Sequence, residues 1–216
     1  MSPYLIPTLV LLAAYLLGSI SGGVVLGRLR GVDIREQGTG YAGGSNALRT
    51  QGFGFALGVI AIDVGKGVLA AWLGRRFGSA DGPFDVAMLG YGCAFAAMLG
   101  HVWPVWHGFR GGKGAATLAG GLLIMWPGVL PGLLVVWLIT LLSSGYAGLA
   151  MVIAGASLPL FAWWSDAGLP RWLFAIAAAL FLLVTYRDNL RRILAGGEAR
   201  MERARVLHRI WRGGRQ

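Results

Sequence analysis

Long apolar runs separated by short polar segments fill most of this 216-residue chain. Seven such runs cover residues 4–29, 53–73, 86–106, 115–126, 128–142, 146–164 and 172–186. A helix that crosses the hydrocarbon core of a bilayer needs about 20 residues that are mostly apolar. The pattern therefore predicts an all-α polytopic membrane protein. The fourth and fifth runs are short and flank Pro127 and Gly128, so they form either one long kinked helix or two short helices.

The distribution of basic residues predicts how the helices are oriented. Segments 28–49 and 107–113 and the tail from Arg187 are rich in Arg and Lys, whereas segments 75–85 and 165–171 hold only three basic residues between them. Cytoplasmic loops of membrane proteins carry an excess of basic residues. Seven crossings place the three basic segments on one side of the membrane, whereas six place the tail on the opposite side. We therefore expect seven transmembrane helices, with the N-terminus outside and the C-terminus in the cytoplasm.

Composition excludes a soluble protein and narrows the choice of partners. Hydrophobic residues make up 56% of the chain and charged residues only 13%, a balance too apolar for a soluble domain. The net charge of +10 would suit nucleic acid, but the basic residues lie beside the apolar runs. Membrane lipid with anionic headgroups is therefore the expected partner, and we expect no binding of nucleic acid.

The same pattern predicts one transmembrane helical domain over residues 1–190 and an Arg-rich cytoplasmic tail over residues 191–216. No Lys or Arg precedes Arg28, so we expect the first apolar run to be a retained helix rather than a signal peptide. In the tail, apolar residues at helical spacing among arginines favour an interfacial helix, and a disordered basic tail is the alternative. These apolar residues are Val206, Leu207, Ile210 and Trp211.

Two glycine-rich polar segments interrupt the apolar pattern. The first glycine segment is GTGYAGGSNALR, residues 38–49, and the second glycine segment is GFRGGKGAAT, residues 108–117. Glycine lets backbone N–H groups approach a ligand closely, and a neighbouring cation completes a site for phosphate or another oxyanion. We predict one oxyanion site in each segment, and the alternative is two flexible loops with ordinary cytoplasmic charges. The candidate ligands are Thr39, Gly40, Gly43, Gly44, Ser45, Asn46 and Arg49 in the first segment, and Gly111, Gly112, Lys113 and Gly114 in the second.

Neither glycine segment matches a nucleotide-binding motif. The pattern GxxxxGK followed by Ser or Thr would need glycine at His107 and a hydroxyl residue at Gly114. GTGYAG matches GxGxxG, but no strand is predicted before it, as a dinucleotide-binding fold requires. The His and Cys residues also lack metal-ligand spacing. We therefore expect no metal and no cofactor.

Polar residues within or next to the apolar runs are further candidates. Asp63 and Lys66 lie three residues apart on one helical face, and either belong to a site or form a neutralising pair that braces the bundle. Four other polar residues are candidate substrate ligands: His101, Ser144, Asn189 and Glu198. The alternatives are a hydrogen-bonded packing role for His101 and turn, helix-cap or surface-network roles for the other three.

Together these segments resemble the bacterial acyl-phosphate:glycerol-3-phosphate acyltransferase family over nearly the whole chain. The similar stretches are GSISGGVVLGRLRGVDIREQGTG, SNALRTQG, DVGKG, GHVWPVWHGFRGGKGAAT and YRDNLRRILAGGE, of which the fourth is the most specific. The resemblance implies a membrane glycerol-3-phosphate acyltransferase with seven spans in the bacterial inner membrane. It also implies that the active site faces the cytoplasm.

The reaction follows from the same resemblance. A fatty acyl group moves from acyl phosphate to the 1-hydroxyl of glycerol 3-phosphate, which yields lysophosphatidic acid and phosphate in the first step of phospholipid synthesis. The resemblance implies catalytic roles for Thr39, Arg49, Lys113 and Asn189, and we expect the enzyme to be a monomer. The main alternative is a transporter or binding protein for a small organic phosphate, because transporters also bind anions at half-helix N-termini.

The chain departs from the family pattern at several positions. Tyr41 replaces an expected asparagine, Tyr186 replaces an expected histidine, and residues 43–45 read Gly-Gly-Ser instead of Gly-Ala-Thr. Thr39 stands where serine is usual but keeps the hydroxyl. The two tyrosines leave room for an altered substrate preference or for a divergent member with weak activity.

Overall fold

The computed structural model describes residues 2–201, and over this range every regular element is a helix. The predicted all-α class is thereby confirmed. In chain order the helices are α1 (Leu5–Gly18), α2 (Gly22–Leu29), α3 (Gly44–Gln51), α4 (Phe53–Phe77), α5 (Val86–Val102), α6 (Ala115–Met125), α7 (Leu130–Ser144), α8 (Ala147–Ala156), α9 (Leu158–Trp164), α10 (Leu169–Thr185) and α11 (Arg187–Leu194). The interfacial helix predicted around Val206, Leu207, Ile210 and Trp211 lies outside the described residues.

Four helical stretches of the described chain are long and apolar enough to cross a membrane: Phe53–Phe77, Val86–His107, Pro127–Ser144 and Ala147–Trp164. Two bent pairs, α1 with α2 at 44° and α10 with α11 at 53°, bring the number to six if each pair makes one crossing. Helix α6 has only 11 residues, fewer than the roughly 20 that a full crossing needs. The predicted count of seven crossings and the orientation of the termini therefore stay predictions.

The fourth and fifth apolar runs form two separate helices, as one of the two alternatives from the sequence requires. Helix α6 ends at Met125, and the backbone of Trp126 (φ −156°, ψ 61°) leaves the helical region. Helix α7 has a proline in its first turn, where a missing N–H group removes no helical hydrogen bond. The chain divides at the same place into two compact units, Met1–Pro127 and Gly128–Gln216. The predicted boundary at residue 190 stays a prediction.

Helix α4 lies at the centre of the first unit and packs against α1, α5 and α6. Glycines bring the backbones of α4 and α6 almost into contact. A Cβ atom at Gly67 would collide with the carbonyl oxygen of Thr117, and one at Gly120 would collide with that of Val64. Small residues favour helix association in membranes because they allow this close van der Waals packing. The position of α6 therefore depends on α4.

Helix α8 has the central place in the second unit, where it packs against α7, α10 and α11. Gly155 of α8 makes room for α10, since a Cβ atom there would lie 2.5 Å from Cδ1 of Leu182. Gly148 does the same for α11, since a Cβ atom there would lie 2.9 Å from Cβ of Asn189. The second unit thus anchors α11 through a small residue opposite Asn189.

Asp63 and Lys66 of α4 and His101 of α5 form a buried polar cluster in the first unit. The three side chains are at most 4% exposed. Lys66 Nζ lies 2.9 Å from Asp63 Oδ1 and 2.7 Å from His101 Nδ1. A protonated lysine has only donors, so a charged Lys66 makes Nδ1 the acceptor and places the ring proton on Nε2.

The buried polar cluster also binds backbone groups where α1 gives way to α2. Lys66 Nζ donates a hydrogen bond to the carbonyl of Ile20 at 2.8 Å. The N–H group of Gly22 donates to Asp63 Oδ1 at 3.2 Å. Both charged side chains are therefore buried, paired and bonded to a neighbouring helix end. Of the two alternatives for this pair, the geometry favours a brace within the bundle.

Breaking the buried pair is predicted to destabilise the first unit. Removing one partner of a buried ion pair leaves an uncompensated charge, which typically costs about 3–5 kcal/mol. We expect Lys66→Met to lower the melting temperature of the detergent-purified protein strongly. The double variant Asp63→Asn/Lys66→Met leaves no isolated charge, so it should melt at a higher temperature than Lys66→Met alone.

A matched control for this test is Leu69→Met on the same helix, because Leu69 is exposed on the outer face of α4. Its melting temperature should stay close to that of the wild type. A double variant no more stable than Lys66→Met would show that charge pairing is not what the cluster contributes.

Candidate active site

Asn46 shapes the first glycine segment from inside. Its Oδ1 accepts a hydrogen bond from the N–H group of Thr39 at 2.8 Å, and its Nδ2 lies within donating distance of the carbonyls of Ile34, Gln37 and Tyr41, at 2.8, 3.0 and 3.0 Å. The residue is only 2% exposed. Its carboxamide is thus occupied by the loop backbone, and its role in the structure is to hold that loop. The substrate contact predicted for Asn46 stays a prediction.

The first glycine segment leads into the N-terminus of α3. Gly40 has a left-handed backbone (φ 76°), which favours glycine, and Gly43 is the extended N-cap residue before Gly44. The first N–H groups of a helix lack intrahelical partners and carry the positive end of the helix dipole. Thr39 and Ser45 are exposed at or near this helix start, whereas the exposed Arg49 lies in the last turn of α3. Two hydroxyls therefore accompany an anion-favouring helix end, and the oxyanion site with Arg49 stays a prediction.

The second glycine segment packs directly on His101. The N–H group of Gly112 donates to the carbonyl of His101 at 3.1 Å, and that of Gly111 donates to the carbonyl of Val102 at 3.2 Å. A Cβ atom at Gly112 would collide with the imidazole ring, and one at Gly111 would collide with the His101 carbonyl. Both glycines are therefore needed for close packing, and both of their N–H groups are already bonded.

This packing changes the roles predicted for three residues. The N–H groups of Gly111 and Gly112 were expected to bind an oxyanion, but they are bonded to carbonyls at the end of α5. His101 is a candidate substrate ligand from the sequence, with packing as the alternative, and its ring is buried beneath Gly112 and bonded to Lys66. The position of His101 favours the packing alternative, in which its ring and carbonyl support Gly111 and Gly112 of the second glycine segment.

The N-terminus of α6 supplies other donors beside Lys113. Gly114 is its N-cap residue and has a left-handed backbone (φ 90°, ψ −11°). The helix starts at Ala115, so its first-turn N–H groups directly follow Lys113. A helix N-terminus with an adjacent ammonium favours a phosphate group through both the dipole and the charge. The second predicted oxyanion site therefore centres on Lys113 and the start of α6.

Three contacts bring the two glycine segments together. The N–H group of Ala42 donates to the carbonyl of Gly111 at 3.2 Å. Lys113 Nζ lies 4.1 Å from the centroid of the Tyr41 ring. Arg35, which precedes the first segment, donates from Nη1 to the carbonyls of His107 and Arg110 at 2.8 and 3.3 Å. The two predicted oxyanion sites thus lie side by side in the first unit.

Arg35 is a positioning residue. The sequence pattern does not distinguish it from the other basic residues of segment 28–49. Asp33 orients it, with its carboxylate accepting from Arg35 Nε at 2.9 Å and from Nη2 at 2.7 Å. These hydrogen bonds lower the pKa of Asp33 to about 2, so its carboxylate is ionised at neutral pH. The only sequence signal for this arrangement is the two-residue spacing between Asp33 and Arg35.

Asn189 and Glu198 meet in the second unit. Asn189 Nδ2 donates to Glu198 Oε1 at 2.6 Å, and Arg192 Nε donates to Glu198 Oε2 at 2.6 Å. The Glu198 carboxylate is therefore held by two donors and orients the Asn189 amide. The same segment is tied to the turn after α7, because Met201 N–H donates to the carbonyl of Gly145 at 2.9 Å.

Ser144 completes the end of α7. Its hydroxyl donates to the carbonyl of Thr140 at 2.6 Å and accepts from the N–H group of Tyr146 at 3.1 Å. These bonds correspond to the turn role that was the alternative to substrate contact. Among residues 2–201, no group of three or more His, Cys, Asp and Glu side chains is arranged to hold a metal ion.

Comparisons with known proteins agree with this geometry. The family model described as glycerol-3-phosphate acyltransferase matches residues 8–196. The glycerol-3-phosphate acyltransferase of Cronobacter sakazakii is 38% identical over 196 residues, which cover 88% of this chain and 90% of that protein. The protein of the same name from Shewanella baltica is 37% identical over 205 residues, with 94% and 97% covered.

Solved structures of a glycerol 3-phosphate acyltransferase are also similar to this chain. Two crystal structures of PlsY (YgiH), an integral membrane glycerol 3-phosphate acyltransferase, are similar to this chain with a TM-score of 0.83 and 32% sequence identity each. The glycerol 3-phosphate form covers 90% of this chain and 95% of its own, and the lysophosphatidic acid form covers 94% and 98%. The family model, the relatives and the fold agree, and the chain therefore belongs to the glycerol-3-phosphate acyltransferase family.

Proposed function

We propose that the protein transfers a fatty acyl group from acyl phosphate to the 1-hydroxyl of glycerol 3-phosphate, as the first step of phospholipid synthesis. The products are lysophosphatidic acid and inorganic phosphate. The observation that carries the proposal is the side-by-side placement of two helix N-termini in the first unit, with Lys113 next to the start of α6 and Arg49 on α3. Two phosphorylated substrates need two such sites, and an acyl acceptor must lie next to the acyl donor.

Lys113 and the first-turn N–H groups of α6 are proposed to bind the phosphate of the acyl donor. Charge develops on this phosphate as it leaves and on the acyl oxygen as the hydroxyl attacks. Fixed donors aimed at developing charge lower the barrier, because they need no reorganisation during the reaction. We assign this role to Lys113 and α6 because the N–H groups of Gly111 and Gly112 are bonded elsewhere.

The first glycine segment is proposed to hold glycerol 3-phosphate. Arg49 can bind a phosphate through two parallel N–H groups, and Thr39 and Ser45 can donate hydroxyl hydrogen bonds. All three side chains are exposed, so they are accessible to a ligand. Holding the phosphate fixes the position of the 1-hydroxyl relative to the acyl carbon.

The chemical step proposed here is direct acyl transfer. Acyl phosphate is a mixed anhydride with a good leaving group, so the 1-hydroxyl can attack the acyl carbon without a covalent enzyme intermediate. The new ester C–O bond forms, the C–O bond to phosphate breaks, and a phosphate oxygen of a substrate takes the hydroxyl proton. Asn189 remains a proposed catalytic contact, with its amide oriented by Glu198.

The number of membrane crossings and the orientation of the termini are part of the same proposal. We infer seven crossings in the inner membrane of a bacterial cell, with the C-terminus and the active site facing the cytoplasm and the N-terminus outside. The concentration of basic residues in segments 28–49 and 107–113 and after Arg187 supports this orientation. A single copy of the chain is proposed to be the active form.

The choice of acyl donor is open to a direct test. Purified protein with palmitoyl phosphate and glycerol 3-phosphate should release lysophosphatidic acid and phosphate. Palmitoyl-CoA that is free of acyl phosphate should give little product, because its thioester lacks the acyl-linked phosphate that Lys113 and α6 are proposed to hold. Equal turnover of the two donors would contradict the assignment, and binding of glycerol 3-phosphate without any product would favour the transporter or binding-protein alternative.

Lys113→Ala should greatly reduce turnover while leaving the protein folded. Loss of one donor to a developing oxyanion typically lowers the rate about 100- to 1,000-fold. Lys113→Arg keeps the charge but enlarges the head group, so it should restore activity poorly. Initial rates and melting temperatures measured together separate a catalytic effect from unfolding.

The matched control is Arg110→Ala, which removes an exposed cation from the same segment and leaves intact the carbonyl bound by Arg35. It should keep most of the activity. A well-folded Lys113→Ala protein with the wild-type rate would remove Lys113 from the mechanism.

The topology predicts which engineered cysteines react with an impermeant thiol reagent added to intact cells. In a Cys93→Ala background, Ser79→Cys and Ser165→Cys should be labelled, whereas Leu48→Cys and Ala195→Cys should be protected. All four positions are exposed, so protection cannot come from burial in the protein. Labelling of either Leu48→Cys or Ala195→Cys would contradict the seven-crossing arrangement.

A further inference from the structure

Tyr41 of the first glycine segment faces Lys113 of the second. The ammonium nitrogen lies 4.1 Å from the centroid of the tyrosine ring. A cation within about 6 Å of an aromatic face is attracted by the negative face of the ring quadrupole. The side chain with the central role in the proposed mechanism thus has an aromatic partner in the neighbouring segment.

The backbone is anchored on both sides of this contact. The Tyr41 carbonyl accepts a hydrogen bond from Asn46 at 3.0 Å, and the next N–H group, that of Ala42, donates to Gly111 at 3.2 Å. Lys113 follows Gly111 by two residues, immediately before the N-cap of α6. Ring and ammonium therefore project from two backbones that are bonded to each other. What remains to be positioned is the flexible four-carbon stem of the lysine.

An aromatic face suits this task better than a carboxylate would. A carboxylate beside Lys113 would neutralise the ammonium and repel a substrate phosphate. A ring holds the cation and leaves its full charge available to an anion on the other side. The family resemblance predicts an asparagine at position 41, and an asparagine has no aromatic face with which to make this contact.

We propose that Tyr41 is a positioning residue, whose ring holds the Lys113 ammonium where it meets the phosphate of the acyl donor. The inference rests on the proposed acyl transfer and deepens it by naming what places the cation. Tyr41 acts through Lys113, and its hydroxyl is not needed for this role. The substitution of tyrosine for asparagine at this position is then compatible with an active enzyme.

The first test varies the ring electrostatics at nearly constant shape. Phenylalanine and its di- and trifluorinated derivatives are incorporated at position 41, since each fluorine weakens the negative ring face. We expect Tyr41→Phe to keep kcat within about 2-fold of the wild type, and log kcat to fall as fluorines are added. Tyr41→Leu should be slowest, about 3- to 30-fold below the wild type. The KM for glycerol 3-phosphate and the melting temperature should change little across the fluorinated series.

The second test reads the contact without turnover. The chain has only two lysines, and Lys66 is 4% exposed, so an amine-reactive reagent reports on Lys113 with little competition from the other lysine. Loss of the ring should uncover the ammonium. We therefore expect Lys113 to be modified faster in Tyr41→Leu than in Tyr41→Phe, as measured by mass spectrometry of the peptide that contains it.

Phe53→Leu is the matched control, because it removes an exposed ring at the start of α4. It should alter neither readout. An active wild type whose rate is indifferent to fluorination, with equal Lys113 modification in Tyr41→Leu and Tyr41→Phe, would overturn the role of Tyr41 and leave the proposed function standing. A wild type inactive with acyl phosphate would overturn both.

Discussion

A charge buried in an apolar bundle must be paired, and the Asp63–Lys66 pair meets this constraint in a way that determines the rest of the first unit. Lys66 reaches the carbonyl of Ile20 and the ring of His101. Asp63 accepts from the N–H group of Gly22. The same two side chains therefore pair with each other and bind backbone groups at the break between α1 and α2. Removal of either partner would leave a buried charge, which is strongly destabilising.

The second glycine segment depends on the same pair through His101. The ring bonded to Lys66 is the surface on which Gly112 lies, and the His101 carbonyl binds the Gly112 N–H group. Glycine is needed at these positions because two pieces of chain approach closely, not because their N–H groups must stay open for a ligand. The backbone that leads to Lys113 and the start of α6 is therefore fixed by its contacts with the end of α5. Preorganised electrostatic stabilisation requires donors that are fixed in this way.

The sequence predicted the elements of this fold better than the directions of its side chains. Apolar runs located the helices because burial in lipid demands long apolar stretches, and Pro127 with Gly128 located the break between α6 and α7. Asn46 looked like a ligand because an amide in a glycine-rich loop can bind phosphate. Its Nδ2 lies within donating distance of three carbonyls that are at most 12 residues away, and the predicted substrate contact stays a prediction. Residue type and spacing cannot distinguish a loop-holding amide from a ligand-binding one.

Long-range contacts explain the roles that the sequence could not predict. Arg35 binds the carbonyl of His107, 72 residues away, and Lys66 meets His101, 35 residues away. Such partners become visible only when the helices are packed. In both contacts a buried or half-buried side chain is bonded to a group of a distant segment. In the first unit, Arg49 and Thr39 are exposed, and Lys113 is half-buried. The Tyr41 ring contacts the flexible Lys113 side chain without cancelling the charge that a phosphate would seek.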